Sequence, residues 1–168
     1  MRKTTTLLLC LISLIAYSNK GFSQNIADCN AELSVEKNRS VKSIGENGTF
    51  FTLDLKNTSN TSKTYTITSN KTEQPCKKSN IVNSKRINIS PDLDVTFLTP
   101  ENLNSNLKEI SVTVNSGSSQ KLYVKVEVPN GTPYNTWTCL KINAKSEGCT
   151  SNGAETILSA YISNPSEE

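Results

Sequence analysis

The chain has 168 residues, 35% of them hydrophobic and 20% charged, with a formal net charge of +3 and no histidine. This length suits one domain with a substantial core. The lack of histidine excludes Ser-His-Asp and Cys-His nucleophile activation, imidazole general bases and every His-ligated zinc or copper site.

The N-terminal segment predicts a secretory signal peptide. Two basic residues precede the apolar run LLLCLISLIA at residues 7–16, which is too short to cross a membrane, a span that takes about 20 residues. Small residues suit cleavage before Gln24, which divides the chain into a leader at 1–23 and a domain at 24–168. We expect export to the periplasm, the exterior or the cell surface, with no integral membrane segment after cleavage.

Cleavage would also remove the basic excess of the chain. Arg2, Lys3 and Lys20 lie in the leader and no acidic residue does, so 18 minus 3 leaves 15 basic residues against 15 acidic ones. A neutral mature chain gives no reason to expect nucleic acid as a partner.

Alternating apolar residues predict a series of strands after the leader. AELSVEK from Ala31 is the first, and GTFFTLDLKN follows with Phe51, Leu53 and Leu55 pointing inward. KTYTITSN comes next after the turn NTSNTS, so these two strands are predicted to form a hairpin. The polar residues 70–84 break the alternation and predict a long loop.

The second half of the chain continues the series. RINIS and LDVTFLT predict two strands, and Ile110, Val112 and Val114 alternate before the turn NSGSSQ. LYVKVEV alternates back as far as Pro129, and NTWTCLKINA and ETILSAYIS predict the last two strands. The fold class is therefore all-β, a single antiparallel β-sandwich of about seven to nine strands with disulfides.

Four cysteines remain after the leader: Cys29, Cys76, Cys139 and Cys149. An even number in an exported chain predicts two disulfides, and three pairings are possible. The pairing of Cys139 with Cys149, which leaves Cys29 for Cys76, is favoured because it would join the ends of a short connection between strands.

Candidate catalytic groups are few. Asp92 and Asp94 form a close acidic pair, and paired carboxylates can hydrolyse glycosides. Their spacing on either side of Leu93 places both on an outer face, where solvated acids are the ordinary outcome. We therefore predict no catalytic residue, no metal site and no cofactor, and a protein that is not an enzyme.

Three aromatic residues are candidate contacts for a ligand. Trp137 is the only tryptophan, and Tyr134 precedes it, so the pair could stack on a sugar; packing of Trp137 inside the sandwich is the alternative. Strict alternation turns Tyr123 outward, where it could contact a partner.

Seven Asn-x-Ser/Thr triplets are present, and we interpret them as surface turns rather than glycosylation sites. They begin at Asn38, Asn47, Asn57, Asn60, Asn70, Asn88 and Asn130.

The order of features resembles a known kind of module. GENGTFFTLDLKNTSNTSKTYTI, DLDVTFLTP and NSGSSQKLYVKVEVPNGTPYNTW are similar to the Ig-like (Fn3-like) modules of bacterial secreted enzymes, notably the α-galactosidase-associated NPCBM-type domain. The matching signals are Asn57-Thr58, Gly117, the Val124 to Val128 strand, the Pro129 to Thr132 turn and Trp137, and they span roughly 31–163. The four cysteines, the long insertion around Cys76 and the lack of an attached catalytic domain depart from that pattern.

The resemblance implies an Ig-like sandwich that acts by binding. The preferred hypothesis is an exported, non-catalytic binding or scaffolding module for a protein or envelope partner. The alternative is a carbohydrate-binding module that assists a glycan-degrading enzyme. A hydrolase using Asp92 or Asp94 is a third possibility.

Overall fold

Two five-stranded sheets pack against each other around one apolar core. The computed structural model describes residues 30–72, 90–147, 149 and 153–167. Sheet A has the strand order β1-β3-β8-β5-β6, and sheet B has the order β2-β10-β9-β4-β7. The strands are β1 (Ala31–Val35), β2 (Val41–Ile44), β3 (Thr49–Asn57), β4 (Lys63–Thr72), β5 (Asp94–Thr99), β6 (Asn102–Leu107), β7 (Ile110–Val114), β8 (Ser119–Glu127), β9 (Thr136–Ser146) and β10 (Ala154–Ile162).

Alternation along the strands builds the core, as predicted. In β3, Phe51, Leu53 and Leu55 are fully buried, because every second side chain of a strand points to the same face. The all-β sandwich is therefore confirmed, and burial of each large apolar side chain contributes about 1.5 to 3 kcal/mol before the entropy cost. The largest fully buried side chains are Tyr65, Phe51, Phe97, Ile44, Leu53, Leu55, Ile67, Leu122, Ile142, Leu158, Ile162 and Val124.

The predicted hairpin is wrong. Strand β3 pairs with β1 and β8, whereas β4 pairs with β7 and β9 in the other sheet. Strands β7 and β8 are likewise divided between sheets B and A. The connections at residues 58–62 and 115–118 are thus arches from one sheet to the other. Alternation identifies inward residues but does not say which sheet a strand joins.

The strand count and the strand directions also differ from the prediction. The described residues form ten strands rather than seven to nine, because β2 and β6 were not predicted. Both are short edge strands with weak alternation, and β6 exposes Leu103 and Leu107. Strand β2 runs parallel to β10, so sheet B is mixed rather than wholly antiparallel.

The two arches meet around one buried side chain at what we call the arch end of the sandwich. Asn57 is completely buried, and its amide nitrogen donates to the carbonyls of Thr61 (2.8 Å) and Val114 (2.9 Å). Its side-chain oxygen accepts from the Ser59 amide and hydroxyl and from the Tyr65 hydroxyl (3.0 Å). Asn57 is therefore not a surface turn residue, in contrast to the interpretation of its triplet.

The arches are also joined through their backbones. The Asn57 amide donates to the Ser118 carbonyl, and the Gly117 amide donates to the Asn57 carbonyl, each at 2.9 Å. Gly117 has a φ of 69°, a conformation that glycine adopts without strain. Among the described residues, every buried side-chain nitrogen and oxygen has a hydrogen-bond partner, so this polar cluster stabilises the fold without an unsatisfied group.

The geometry of β9 excludes the favoured pairing of Cys139 with Cys149. Strand β9 is extended through Ser146, and the seven residues from Cys139 to Ser146 cover about 23 Å at roughly 3.3 Å each. The three residues to Cys149 can recover at most about 11 Å. The two Cα atoms therefore lie about 12 Å or more apart, beyond the roughly 7 Å limit for a disulfide.

Several predictions lie outside the described residues. They are the leader at 1–23, Cys29, Cys76, Asn88, the first four residues of the strand RINIS and most of the loop at 70–84, of which the first three residues belong to β4. No helix in the part of the chain that the structure describes is long and apolar enough to span a membrane.

Candidate functional site

A cleft of about 310 Å³ opens at the end of the sandwich opposite the arches, which we call the cleft end. Its floor is apolar and its walls are loops after β2, β8 and β10. The residues that line it are Ile44, Gly45, Glu46, Val128, Pro129, Asn130, Gly131, Thr132, Tyr134, Ile162 and Ser163.

Strand ends and a tight turn fix the shape of the cleft. Ile44 and Ile162 end the parallel strands β2 and β10 and are fully buried beneath it. On one wall, the amide and the hydroxyl of Thr132 both donate to the Pro129 carbonyl, at 3.2 and 2.6 Å. Gly131, with a φ of 84°, allows this turn.

Tyr134 is the aromatic residue that the cleft presents to solvent. It follows the Pro129 to Thr132 turn and is 44% exposed, so its ring is available to a ligand. Glu46, Asn130 and Ser163 supply polar groups along the same cleft. A ring beside several hydrogen-bonding groups can hold a small polar ligand with an apolar face.

Trp137 does not share this cleft with Tyr134. Asn135, between them, has a φ of 60°, and its amide donates to the Ile162 carbonyl at 2.8 Å. Trp137 lies on the outer face of sheet B and packs on Tyr161, with ring centroids 5.0 Å apart. The Tyr161 hydroxyl donates to the Asn135 side chain at 2.6 Å. The predicted stacking pair is thus divided between two places.

Tyr123 lies on the outer face of sheet A, the side to which alternation assigned it. It pairs with Thr52 on β3 and with Leu98 on β5, and it is half-buried. Phe50 on β3 is 49% exposed and Leu103 on the edge strand β6 is 59% exposed. We call Phe50, Leu98, Leu103 and Tyr123 the sheet A apolar strip.

Phe50, Leu98 and Leu103 are the members that sequence reasoning missed. Phe50 precedes the inward Phe51, so alternation alone turns it outward. Leu103 lies on a strand that the sequence pattern did not reveal. Leu98 is only 4% exposed although it is not part of the core, so its neighbours on this face cover it.

Charges beside the strip are paired. Lys125 contacts Glu127 at 2.7 Å and Lys121 contacts Glu36 at 2.8 Å. The hydrogen bond and the charge of Lys121 hold the pKa of Glu36 below its usual value. The same hydrogen bond raises the pKa of Lys121 above its usual value. A surface with alternating signs does not attract a polyanion.

The two acidic residues considered as catalytic candidates, Asp92 and Asp94, form separate ion pairs with two different lysines. Asp92 contacts Lys71 at 2.6 Å and Asp94 contacts Lys108 at 3.0 Å. Each carboxylate is largely exposed and has its own counter-ion, which is the solvated arrangement expected of surface acids. Within residues 30–72, 90–147, 149 and 153–167, no group of three or more His, Cys, Asp or Glu side chains could hold a metal ion.

The chain matches one family model, that of the Fn3-like domain, over residues 39–151. No curated protein matches it. Among solved structures, WR4, an MSP family member of C. elegans, is 10% identical with a TM-score of 0.40, and the match covers 80% of this chain and 100% of that one.

Two further structures are similar at the same level. The ASH/PapD-like domain 7 of human CEP192 is 10% identical with a TM-score of 0.41, over 86% of this chain and 93% of that one. The periplasmic chaperone SfaE is 11% identical with a TM-score of 0.43, and the match covers 80% of this chain but 57% of that one. None of the three carries a function over to this chain.

Proposed function

The chain belongs to the Fn3-like domain family, and from that premise we propose that it is an exported, non-catalytic module that binds a protein or envelope partner through the sheet A apolar strip. The observation that carries the proposal is the exposure of Phe50 and Leu103 on sheet A, the sheet whose outer face also carries Tyr123. Soluble proteins rarely leave large side chains grouped on the surface unless the group is an interaction site.

The chemistry of the strip favours a protein over other partners. Tyrosine and phenylalanine are enriched where proteins bind each other, because they bury much area at little entropic cost. The paired charges of Lys121 and Lys125 give specificity without a net basic field. Nucleic acid is therefore not the proposed partner.

The proposal of a non-catalytic, exported protein rests on further observations. The chain has no histidine, and Asp92 and Asp94 each have their own lysine partner. The leader at 1–23 supports export to the periplasm, the exterior or the cell surface. A relationship to the NPCBM-type modules of bacterial secreted enzymes is part of this proposal.

Site-specific crosslinking tests the binding surface. A photoreactive residue at Phe50 or Tyr123 should form one discrete adduct with an envelope protein in native cells, to be identified by mass spectrometry. The same residue at Ile157, which is 38% exposed on the other sheet, is the matched control. Equal adducts from Ile157, or none from the strip, would contradict the assignment.

Affinity for the captured partner then measures the contribution of the strip. Phe50→Ser should weaken binding at least tenfold, because a central aromatic contact typically contributes more than about 1.4 kcal/mol. Ile157→Ser should leave the Kd unchanged.

A carbohydrate-binding module is the second candidate function, and the cleft around Tyr134 favours it. An exposed ring beside Asn130 and Glu46 is suited to stack on a sugar and hydrogen-bond its hydroxyls. Glycan-array binding lost in Tyr134→Ala and kept in Trp137→Ala would support this function, because the structure separates the two rings. No glycan retention by the folded wild-type chain would eliminate it.

A further inference from the structure

We propose that Asn130, on the wall of the cleft, is a site of spontaneous deamidation in the folded protein. Deamidation of an asparagine begins when the backbone nitrogen of the next residue attacks the side-chain carbonyl carbon, and glycine offers the least hindered nitrogen because it has no Cβ. Gly131 follows Asn130. The same triplet, Asn-Gly-Thr, also occurs at residues 47–49, so the local sequence gives the two asparagines similar reactivity and the fold must distinguish them.

The glycine nitrogen of the first triplet is held in place. The Gly48 amide donates to the Gly45 carbonyl at 3.0 Å, and Thr49 begins β3 opposite Val126. A Cβ placed on Gly48 would lie 2.7 Å from the Val126 carbonyl oxygen, so this peptide unit is packed against β8. Attack on the Asn47 side chain by the Gly48 nitrogen therefore requires the start of β3 to open.

The glycine nitrogen of the second triplet is not held. Within the described part of the chain, no group accepts a hydrogen bond from the Gly131 amide. Asn130 and Gly131 are both exposed, and a Cβ placed on Gly131 would meet no atom within 4 Å. The turn is closed instead by Thr132, whose amide and hydroxyl both donate to the Pro129 carbonyl. The peptide unit between Asn130 and Gly131 can therefore rotate while these two bonds stay in place.

The reaction needs water and no other reagent. The Gly131 nitrogen loses its proton to solvent and forms a bond to the side-chain carbonyl carbon of Asn130, and the side-chain nitrogen takes up a proton and leaves as ammonia. Water then opens the resulting cyclic imide at either of its two carbonyls. One opening gives aspartate, and the other gives isoaspartate, in which the main chain runs through the former side-chain carbonyl carbon. Overall, one amide and one water become one carboxylate and one ammonium ion.

Either product changes the chemistry of the cleft. The side-chain amide of Asn130 can donate two hydrogen bonds, whereas a carboxylate only accepts them. Glu46 also lines the cleft, so the reaction leaves two carboxylates there and favours a cationic ligand over an anionic one. Isoaspartate also lengthens the main chain between Pro129 and Thr132 by one carbon, which disturbs the turn that forms this wall.

Peptide mapping of the purified, folded chain after incubation in mildly alkaline buffer tests the proposal. Brief cleavage after lysine places the two asparagines in separate peptides, 43–56 and 126–141, and fragmentation in the mass spectrometer locates the new acid within each peptide. Asn130 should react at least about tenfold faster than Asn47, because a nitrogen held in a hydrogen bond must first be released by local opening. Equal rates, or a faster reaction at Asn47, would overturn the proposal.

The unfolded chain is the control for intrinsic reactivity. In denaturant the Gly48 amide loses its hydrogen bond, so Asn47 and Asn130 should react at similar rates. A preference for Asn130 that is unchanged in denaturant would mean that the local sequence sets it, and would also contradict the proposal.

Charge variants give a second readout that does not depend on cleavage. The chain used carries Asn152→Gln, because a third Asn-Gly sequence lies at 152–153 and Asn152 is outside the described residues. Ion-exchange chromatography of this chain after incubation should show a new acidic species. Asn130→Gln should prevent that species, since glutamine would have to close a larger ring, and Asn47→Gln should leave it unchanged. An acidic species of the same size in Asn130→Gln would overturn the assignment.

Discussion

The two ends of the sandwich differ in how they use polar residues. At the arch end, the Asn57 side chain makes five hydrogen bonds in complete burial. At the cleft end, Glu46, Asn130 and Ser163 line an open depression beside an exposed Tyr134. One end thus uses its polar groups to hold two sheets together, and the other leaves them available to a ligand.

This difference indicates that the two ends of the domain have different roles. The arch end fixes the sheets through buried hydrogen bonds, and the loss of a buried hydrogen bond is costly. The cleft end consists of loops that tolerate change while the strands beneath them stay in place. The largest effects on stability should therefore come from the arch end.

Asn57→Ala should produce the largest loss of stability. It removes the amide group that donates to the Thr61 and Val114 carbonyls and accepts from the Tyr65 hydroxyl. We expect the free energy of unfolding to fall by about 3 to 5 kcal/mol, measured by chemical denaturation. Asn60→Ala, at an exposed position two residues from Thr58, is the control and should change it by less than about 0.5 kcal/mol. Similar losses of unfolding free energy in Asn57→Ala and Asn60→Ala would contradict the conclusion that the arch end holds the two sheets together.

Tyr161→Phe should have a smaller effect at the cleft end. It removes the hydrogen bond from the Tyr161 hydroxyl to Asn135 but keeps the ring contact with Trp137. A partly buried hydrogen bond contributes about 0.5 to 1.5 kcal/mol, so thermal unfolding should move by only a few degrees. A loss as large as that of Asn57→Ala would show that both ends hold the fold equally.

The ion pair between Glu36 and Lys121 belongs to neither end and should contribute least. Because Lys121 lowers the pKa of Glu36, the stabilisation is present above the unfolded pKa of glutamate and disappears as the pH falls through the lower folded value. Because Glu36 raises the pKa of Lys121, the lysine contribution is present below its unfolded pKa and disappears as the pH rises through the higher folded value. In Lys121→Met, an NMR titration should show the Glu36 pKa returning upward to its usual range. An unchanged Glu36 pKa would contradict the pairing.

Local patterns were sufficient to predict the strands and their inward faces. Phe51, Leu53 and Leu55 were correctly placed because alternation acts within one strand. The division of β3 and β4 between sheets was not predictable, since a polar turn such as NTSNTS suits an arch as well as a hairpin. The burial of Asn57 depends on a second arch more than fifty residues further along the chain, which no local pattern contains.

Local patterns also predicted part of the candidate site, and they failed where its geometry depends on other parts of the chain. Tyr134 was placed in a turn by the proline and glycine residues before it, and it does line a cleft. Its separation from Trp137 follows from the positive φ of Asn135, a backbone choice that the sequence permits but does not require. Alternation places Phe50 on the outer face of β3. Its membership of the sheet A apolar strip depends on Tyr123 of the neighbouring strand, which alternation within β3 does not show.

The burial of Asn57 has a practical consequence for producing this protein. Asn57-Thr58-Ser59 is an acceptor sequence for N-linked glycans, and a eukaryotic secretory host attaches such glycans as the nascent chain emerges. An N-linked glycan on the Asn57 side chain could not be accommodated between the arches, so glycosylated molecules would fail to pack the two sheets together. A bacterial host, or a Ser59→Ala substitution that accepts the loss of the two hydrogen bonds of the Ser59 hydroxyl, would avoid that outcome.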